Sequence, residues 1–249
     1  MSLLEKPLFP PPLSKEERGK REAAVAVARE AYRRDSTSVD AVLALSRAQM
    51  ALGRVGDALE VLTRAVESKP DDPRLALERG RGLLVIRKFD LAAKELRKPA
   101  GTLPEASCAL GVALYLAADY PQARESFVKC PDPGVFAYLA DWRTGPSAMP
   151  RPLVPRQPVP DPAAPIRLPG AATKPGPATR LPIAASYLDA AQSLIEGKTE
   201  AAKDQLKQIV EKRRNEWMDP IYIAAEADYA RLLKAEPKKK KKKLTAESW

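Results

Sequence analysis

Arg47 and Arg81 stand thirty-four residues apart, and planar guanidinium groups of this kind can grip a carboxylate through paired, charge-assisted hydrogen bonds. A second basic feature is the run Lys238–Lys243. Adjacent cations of that sort can release counterions from nucleic acid or meet an anionic membrane leaflet. No aromatic residue interleaves the lysines, so a stacking platform for single strands is missing, and the alternative is a solvated, charged tail. Cys108 and Cys130 are too few for a zinc site, and the chain has no histidine to join them. They read as small buried hydrophobes. The absence of histidine also removes the commonest general base, most metal sites and every histidine-based triad. Arg79-Gly80-Arg81-Gly82 lacks the third glycine and preceding strand of a dinucleotide site, no Walker-type GxxxxGK occurs, and Asp71-Asp72 is explained by helix capping. The sequence therefore nominates no catalytic residue, no metal and no cofactor, and the expectation is a protein that is not an enzyme.

What positions the arginines is a self-similar stretch from Val39 to Pro104. A shift of thirty-four residues places Ala58 on Ala92, Leu62 on Leu96, Pro70 on Pro104, Ser46 on Gly80 and Val55 on Phe89. A fixed period of this length marks a solenoid, whose units bury their apolar faces only against their neighbours. The Ala- and Leu-rich composition, with few aromatics, favours helix over sheet. Lys15–Arg34 reads as an amphipathic helix that caps the array, because Pro7 and Pro10–Pro12 forbid a helix before it. Helix pairs follow at Val39–Leu52 with Asp57–Ser68, and at Pro73–Ile86 with Asp90–Lys98. A third unit opens at Glu105, and Gly134–Arg143 is the first half of a fourth. Asp72 as N-cap with Pro73 at the first helical position is a clear start signal.

The pattern then stops. Residues 144–182 carry much of the chain's proline and no apolar periodicity, as in a polyproline-II-like linker. Its PxxP spacings, at Pro152–Pro155 and Pro155–Pro158, suit proline-reading domains or a plain spacer. Helical period returns at Ile183–Glu196, at Glu200–Arg214 with Thr199 as cap, and at Ile221–Lys234. The expected organisation is a Pro-rich arm (1–14), a helical array (15–143), the linker (144–182), a C-terminal hairpin plus capping helix (183–237) and a basic tail (238–249). The fold class is all-α: a helix-turn-helix solenoid interrupted by a Pro-rich linker.

These residues resemble the tetratricopeptide repeat. The small residue of the first helix is Ser46, Gly80 or Gly111, and the apolar residue before it is Leu45 or Leu110, with Arg79 departing from the pattern. The second helix opens on Val55, Phe89 or Tyr120 and continues with Ala58, Ala92 or Ala123 and with Leu62, Leu96 or Phe127. Small residues let helices cross closely and large ones fill the gaps between them. LLEKPLFPPPL and YIAAEADYARLL are also similar to bacterial tetratricopeptide proteins of undefined function. The resemblance implies a binding scaffold without catalysis, whose concave face, lined by the first helix of each pair, holds a peptide or helix of another protein. On that basis the groove residues are Leu43, Arg47, Arg74, Leu77, Arg81 and Tyr115; the alternative for the arginines is an ordinary solvated face. Asn215 is the chain's only asparagine and lies outside the first helices, which sets aside the family's chaperone-tail clamp.

The formal net charge of +10 is concentrated in the Pro-rich stretch and the tail, so the helical parts are near neutral. No apolar run is long enough to span a membrane. The start has prolines where a signal peptide needs an apolar helix, and a cytoplasmic protein is expected. The function expected is a protein–protein scaffold or adaptor. Rival readings are docking on nucleic acid or an anionic membrane through Lys238–Lys243, and self-assembly in which the C-terminal helices fold back onto the array.

Overall fold

The computed structural model describes residues 2–7, 13–144 and 183–235, and among them every regular element is helical. The helices are α1 (Lys15–Arg34), α2 (Val39–Ala51), α3 (Val55–Ser68), α4 (Pro73–Val85), α5 (Phe89–Arg97), α6 (Pro104–Leu116), α7 (Tyr120–Val128), α8 (Gly134–Thr144), α9 (Ile183–Ile195), α10 (Thr199–Lys212) and α11 (Pro220–Ala235). Local chemistry sets several starts. Ser14, Ser38, Asp72 and Asp119 each accept a hydrogen bond from a first-turn N–H, and prolines open α4 and α6. Most boundaries lie within one or two residues of expectation; among the differences, α3 begins at Val55, inside the expected turn, and Thr199 is the first residue of α10 rather than its cap.

Each helix from α1 to α8 packs on the next, and α2, α4, α6 and α8 also lie beside one another, which is the architecture of a helical solenoid. The close crossings fall where the pattern placed small residues. A Cβ on Gly111 would stand 2.5 Å from the Phe127 ring, and one on Gly80 would stand 2.6 Å from the Leu96 side chain. Ala58, Ala92, Ala123, Leu62 and Leu96 are fully buried between the helices.

The turn inside each pair is the same device repeated. Gly53, Arg87 and Ala118 all take positive φ, and in each case the following N–H returns to a carbonyl five residues back. Those bonds are Arg54 to Gln49, Lys88 to Leu83 and Asp119 to Leu114, all 2.9 Å. The α9–α10 hairpin uses it again: Gly197 has φ +73, and Lys198 N–H reaches Ser193 O at 2.8 Å. Ala202 and Leu206 then follow Gly197 at the spacing by which Ala58 and Leu62 follow Gly53, and both are fully buried. The C-terminal hairpin is therefore built on the repeat's own turn.

The cysteines need a correction. Cys108 in α6 and Cys130, just after α7, are both buried, but they are joined as a disulfide rather than packed as separate hydrophobes. The bond pins the end of the nine-residue α7 to α6. The Pro-rich stretch beyond Thr144 and the lysine run Lys238, Lys239, Lys240, Lys241, Lys242 and Lys243 lie outside the described residues. No described helix is long and apolar enough to cross a membrane.

Candidate protein-binding face

The first helices α2, α4, α6 and α8 form the inner layer of the array, and their burial is uneven. Five of thirteen residues are buried in α2, seven in α4 and eleven in α6. An inner helix of a bare solenoid keeps one face in water, so something covers α6. That cover is the C-terminal section, in which α9, α10 and α11 pack on one another and α11 lies against α6. Every residue of α11 from Ile221 to Asp228 is buried, as expected for a helix enclosed on all sides.

Polar groups fix the place of α11 across the C-terminal ends of the inner helices. Beyond α4, the buried Arg87 donates from Nε to Glu226 Oε2 at 2.8 Å and from Nη2 to the Trp217 carbonyl at 2.8 Å, and its guanidinium lies over the Trp217 ring at 5.7 Å. Glu226 Oε1 accepts the Leu3 N–H at 2.9 Å, so the N-terminal arm meets the same point. Beyond α6, Arg231 donates to the Leu116 carbonyl. From α8, Arg143 pairs with Asp228, which also accepts the Tyr187 hydroxyl at 2.8 Å. Tyr187 shares a 2.9 Å hydrogen bond with Tyr115. Burial pushes both phenols above their ordinary range, with the Asp228 carboxylate adding to the shift, and burial pulls Arg87 below the usual guanidinium range against the opposing pull of Glu226.

The six expected groove residues divide accordingly. Tyr115 is corrected: it is 2% exposed and bonded to Tyr187, so the chain's own helices take the place reserved for a partner. Leu43 and Leu77 lie on α2 and α4 but are corrected too: both are buried in the core, Leu43 with Val42, Leu62 and Leu75. Arg47 and Arg74 have half-exposed side chains, whereas Arg81 is largely enclosed. Each arginine already has a carboxylate. Arg47 and Arg81 share the buried Glu78 at 3.2 and 3.4 Å, and Arg74 holds Asp40 and Asp72, both at 3.0 Å. Burial lowers the Arg81 pKa; Glu78 opposes the shift and Arg47 adds to it. The stacked arginines are thus a nearly neutral ladder joining α2 to α4, in which two cations share one anion at Glu78.

Glu78, Arg87, Glu226, Asp228 and Tyr187 did not stand out in the sequence. Glu78 had a local signal, one helical turn before Arg81. Arg87 had another, since it occupies the turn position that Gly53 fills in the preceding unit. Glu226 and Asp228 had none, because their partners lie 139 and 85 residues away. Among the described residues no cluster of metal-ligating side chains occurs.

Residues 17–79 match the family model described as tetratricopeptide repeat. No curated protein matches the chain. The matched stretch contains α2, α3 and the start of α4, and therefore most of the Arg47–Glu78 ladder. The stacked helix pairs, the recurring turn and the close crossings at Gly80 and Gly111 agree with that match: the array that includes residues 17–79 is a tetratricopeptide-like helical solenoid.

Proposed function

We propose that the protein is a non-catalytic scaffold that holds a segment of another protein on the inner face of α2 and α4. Tetratricopeptide repeats generally mediate protein–protein interaction and typically lack catalysis. The supporting observation is the contrast in burial: the inner face of α6 is covered by the C-terminal helices, whereas α2 leaves Asp40, Ala44, Arg47 and Ala51 exposed along one side. Arg47 and Arg74 are the half-exposed cations there, with Arg81 behind. A partner carboxylate would enter beside Glu78, where two guanidiniums share one anion, so the expected partner segment is acidic.

The test is capture from lysate by the full chain and by its Arg47→Gln/Arg74→Gln variant, with cross-links mapped to residues. Both side chains are half-exposed, and Arg81 still pairs with Glu78, so the variant should keep its circular dichroism and lose the captured protein at least tenfold. Equal capture by both forms would remove the binding face from α2 and α4.

Docking on nucleic acid or an anionic membrane is the second reading, motivated by Lys238–Lys243. It predicts binding that falls steeply with salt and is lost on removing residues 238–249. For location, a cytoplasmic protein is one reading, whereas the Cys108–Cys130 bond supports an oxidising compartment. Alkylation of thiols at the moment of cell lysis decides between them.

A further inference from the structure

We infer that the outer face of α1 is a pairing surface for a second copy of this chain, with the two α1 helices antiparallel about a two-fold axis beside Val25.

The repeat itself shows what is missing at this end. α1 stands where the second helix of a pair would stand: Ala24, Val27 and Ala31 precede Ala58, Val61 and Ala65 by thirty-four residues. In α3, α5 and α7 the first residue of this series is Ala58, Ala92 or Ala123, fully buried in the pair formed with α2, α4 or α6. No helix precedes α1 among the described residues. α1 packs on α2 through its other side, where Val25 and Ala28 meet Leu45 and Leu52, and Leu13 of the arm joins that buried side. Ala23, Ala24, Val27 and Ala31 are left exposed, Val27 at 73%. The end helix of a solenoid stays apart from other molecules by a polar outer face, and an apolar one marks a contact.

The charges on that face name the occupant. Glu16, Lys20, Ala23, Val27, Glu30 and Arg34 follow one another at steps of four and three, the spacing of a helix-pairing seam. Along the seam the order is acid, base, two apolar residues, acid, base. Turned end for end, a second α1 sets its Arg34 beside Glu16, its Glu30 beside Lys20, and its Val27 beside Ala23 and Ala24. Parallel alignment would set like charge on like charge. Each end of the seam is neutral in sum, so the face has no preference for an acidic or a basic partner, but it is complementary to itself. All four charged side chains are more than half exposed. Their pairings within α1, Glu16 with Lys20 at 2.6 Å and Glu30 with Arg34 at 3.4 Å, are surface ion pairs that cost little to share. With twenty residues, α1 is about 30 Å long. A seam of that length lies at the small end of specific interfaces, so the dimer is reversible and depends on concentration.

The test is sedimentation velocity on the full chain over a range of concentrations, with circular dichroism as the check on folding. Wild type should pass from monomer to dimer as concentration rises. Val27→Glu should keep its helix content and weaken the dimer at least tenfold. Lys20→Glu/Arg34→Glu makes the charges of the seam all acidic, and Glu16→Lys/Glu30→Lys makes them all basic. Each should stay monomeric alone where wild type pairs, and the two mixed should form a one-to-one dimer. Direction is read with Glu16→Cys and Arg34→Cys chains and a short thiol-reactive cross-linker, since Cys108 and Cys130 are already joined to each other. The two mixed should cross-link, and neither should link to itself. A wild type that stays monomeric throughout, or a dimer unchanged by Val27→Glu, would overturn the inference. So would acidic and basic chains that fail to associate, or a cysteine chain that links to itself. No substitution falls in α2 or α4, so the outcome is independent of the reading given to Arg47 and Arg74.

Discussion

Gly111 shows how much of the array rests on the size of single residues. Phe127 fills the space above it, and an added methyl would stand 2.5 Å from a ring flanked by packed helices. A rigid ring cannot step aside as the Leu96 chain over Gly80 can. Gly111→Ala should therefore destabilise the protein by about 1–3 kcal/mol, despite the better helix propensity of alanine, as read by chemical denaturation. Unchanged stability would mean that α6 and α7 can separate freely. Glu78 makes the complementary point for charge. It is a carboxylate buried within a helix, which is costly alone and acceptable because Arg47 and Arg81 both reach it. This is also why the arginines are less available to a partner than their spacing suggested.

At the scale of elements, the Cys108–Cys130 bond compensates for a short helix. α7 buries only Ala123 and Phe127, where the equally short α5 buries four residues. Closing a separation of 22 residues restricts the unfolded chain, and Cys108→Ser/Cys130→Ser should cost about 3 kcal/mol in denaturant. The lowered stability should show first as faster amide exchange in α7 and α8, with α1–α3 unaffected. The hairpin α9–α10 repeats the turn of the array although its sequence match is weak. The turn needs only a residue tolerant of positive φ, and Ala202 and Leu206 supply the crossing.

For the whole molecule, the junction between α6 and the C-terminal helices carries a pH signature. Tyr115 and Tyr187 are buried against each other with Asp228 at hand, so the native state holds their phenolic protons to higher pH than the unfolded chain does. The unfolded state then releases protons first, and the stability contributed is complete below about pH 10 and declines as pH rises above it. Thermal unfolding followed from pH 8 to 11 should show this decline, and Tyr187→Phe should flatten it. An equal slope in the variant would mean that this pair does not govern alkaline unfolding.

The solenoid itself was legible in the chain because its determinants are local. A period of small and large residues, Ser46 to Gly80 and Leu62 to Leu96, together with caps such as Asp72-Pro73, specifies helices and the distance at which they cross. The placement of α1 through α8 needs nothing further, since each unit meets only its neighbours. What only the tertiary structure decided is the state of the inner face. Arg87 and Glu226, or Tyr115 and Tyr187, are brought together across 139 and 72 residues by packing that no local period records. Tyr115 could therefore be assigned to the inner layer from its place in α6, while the helix that covers it could not. Periodicity fixes which face of a helix is apolar; whether water, a partner or the chain's own α11 meets that face depends on long-range charge and shape.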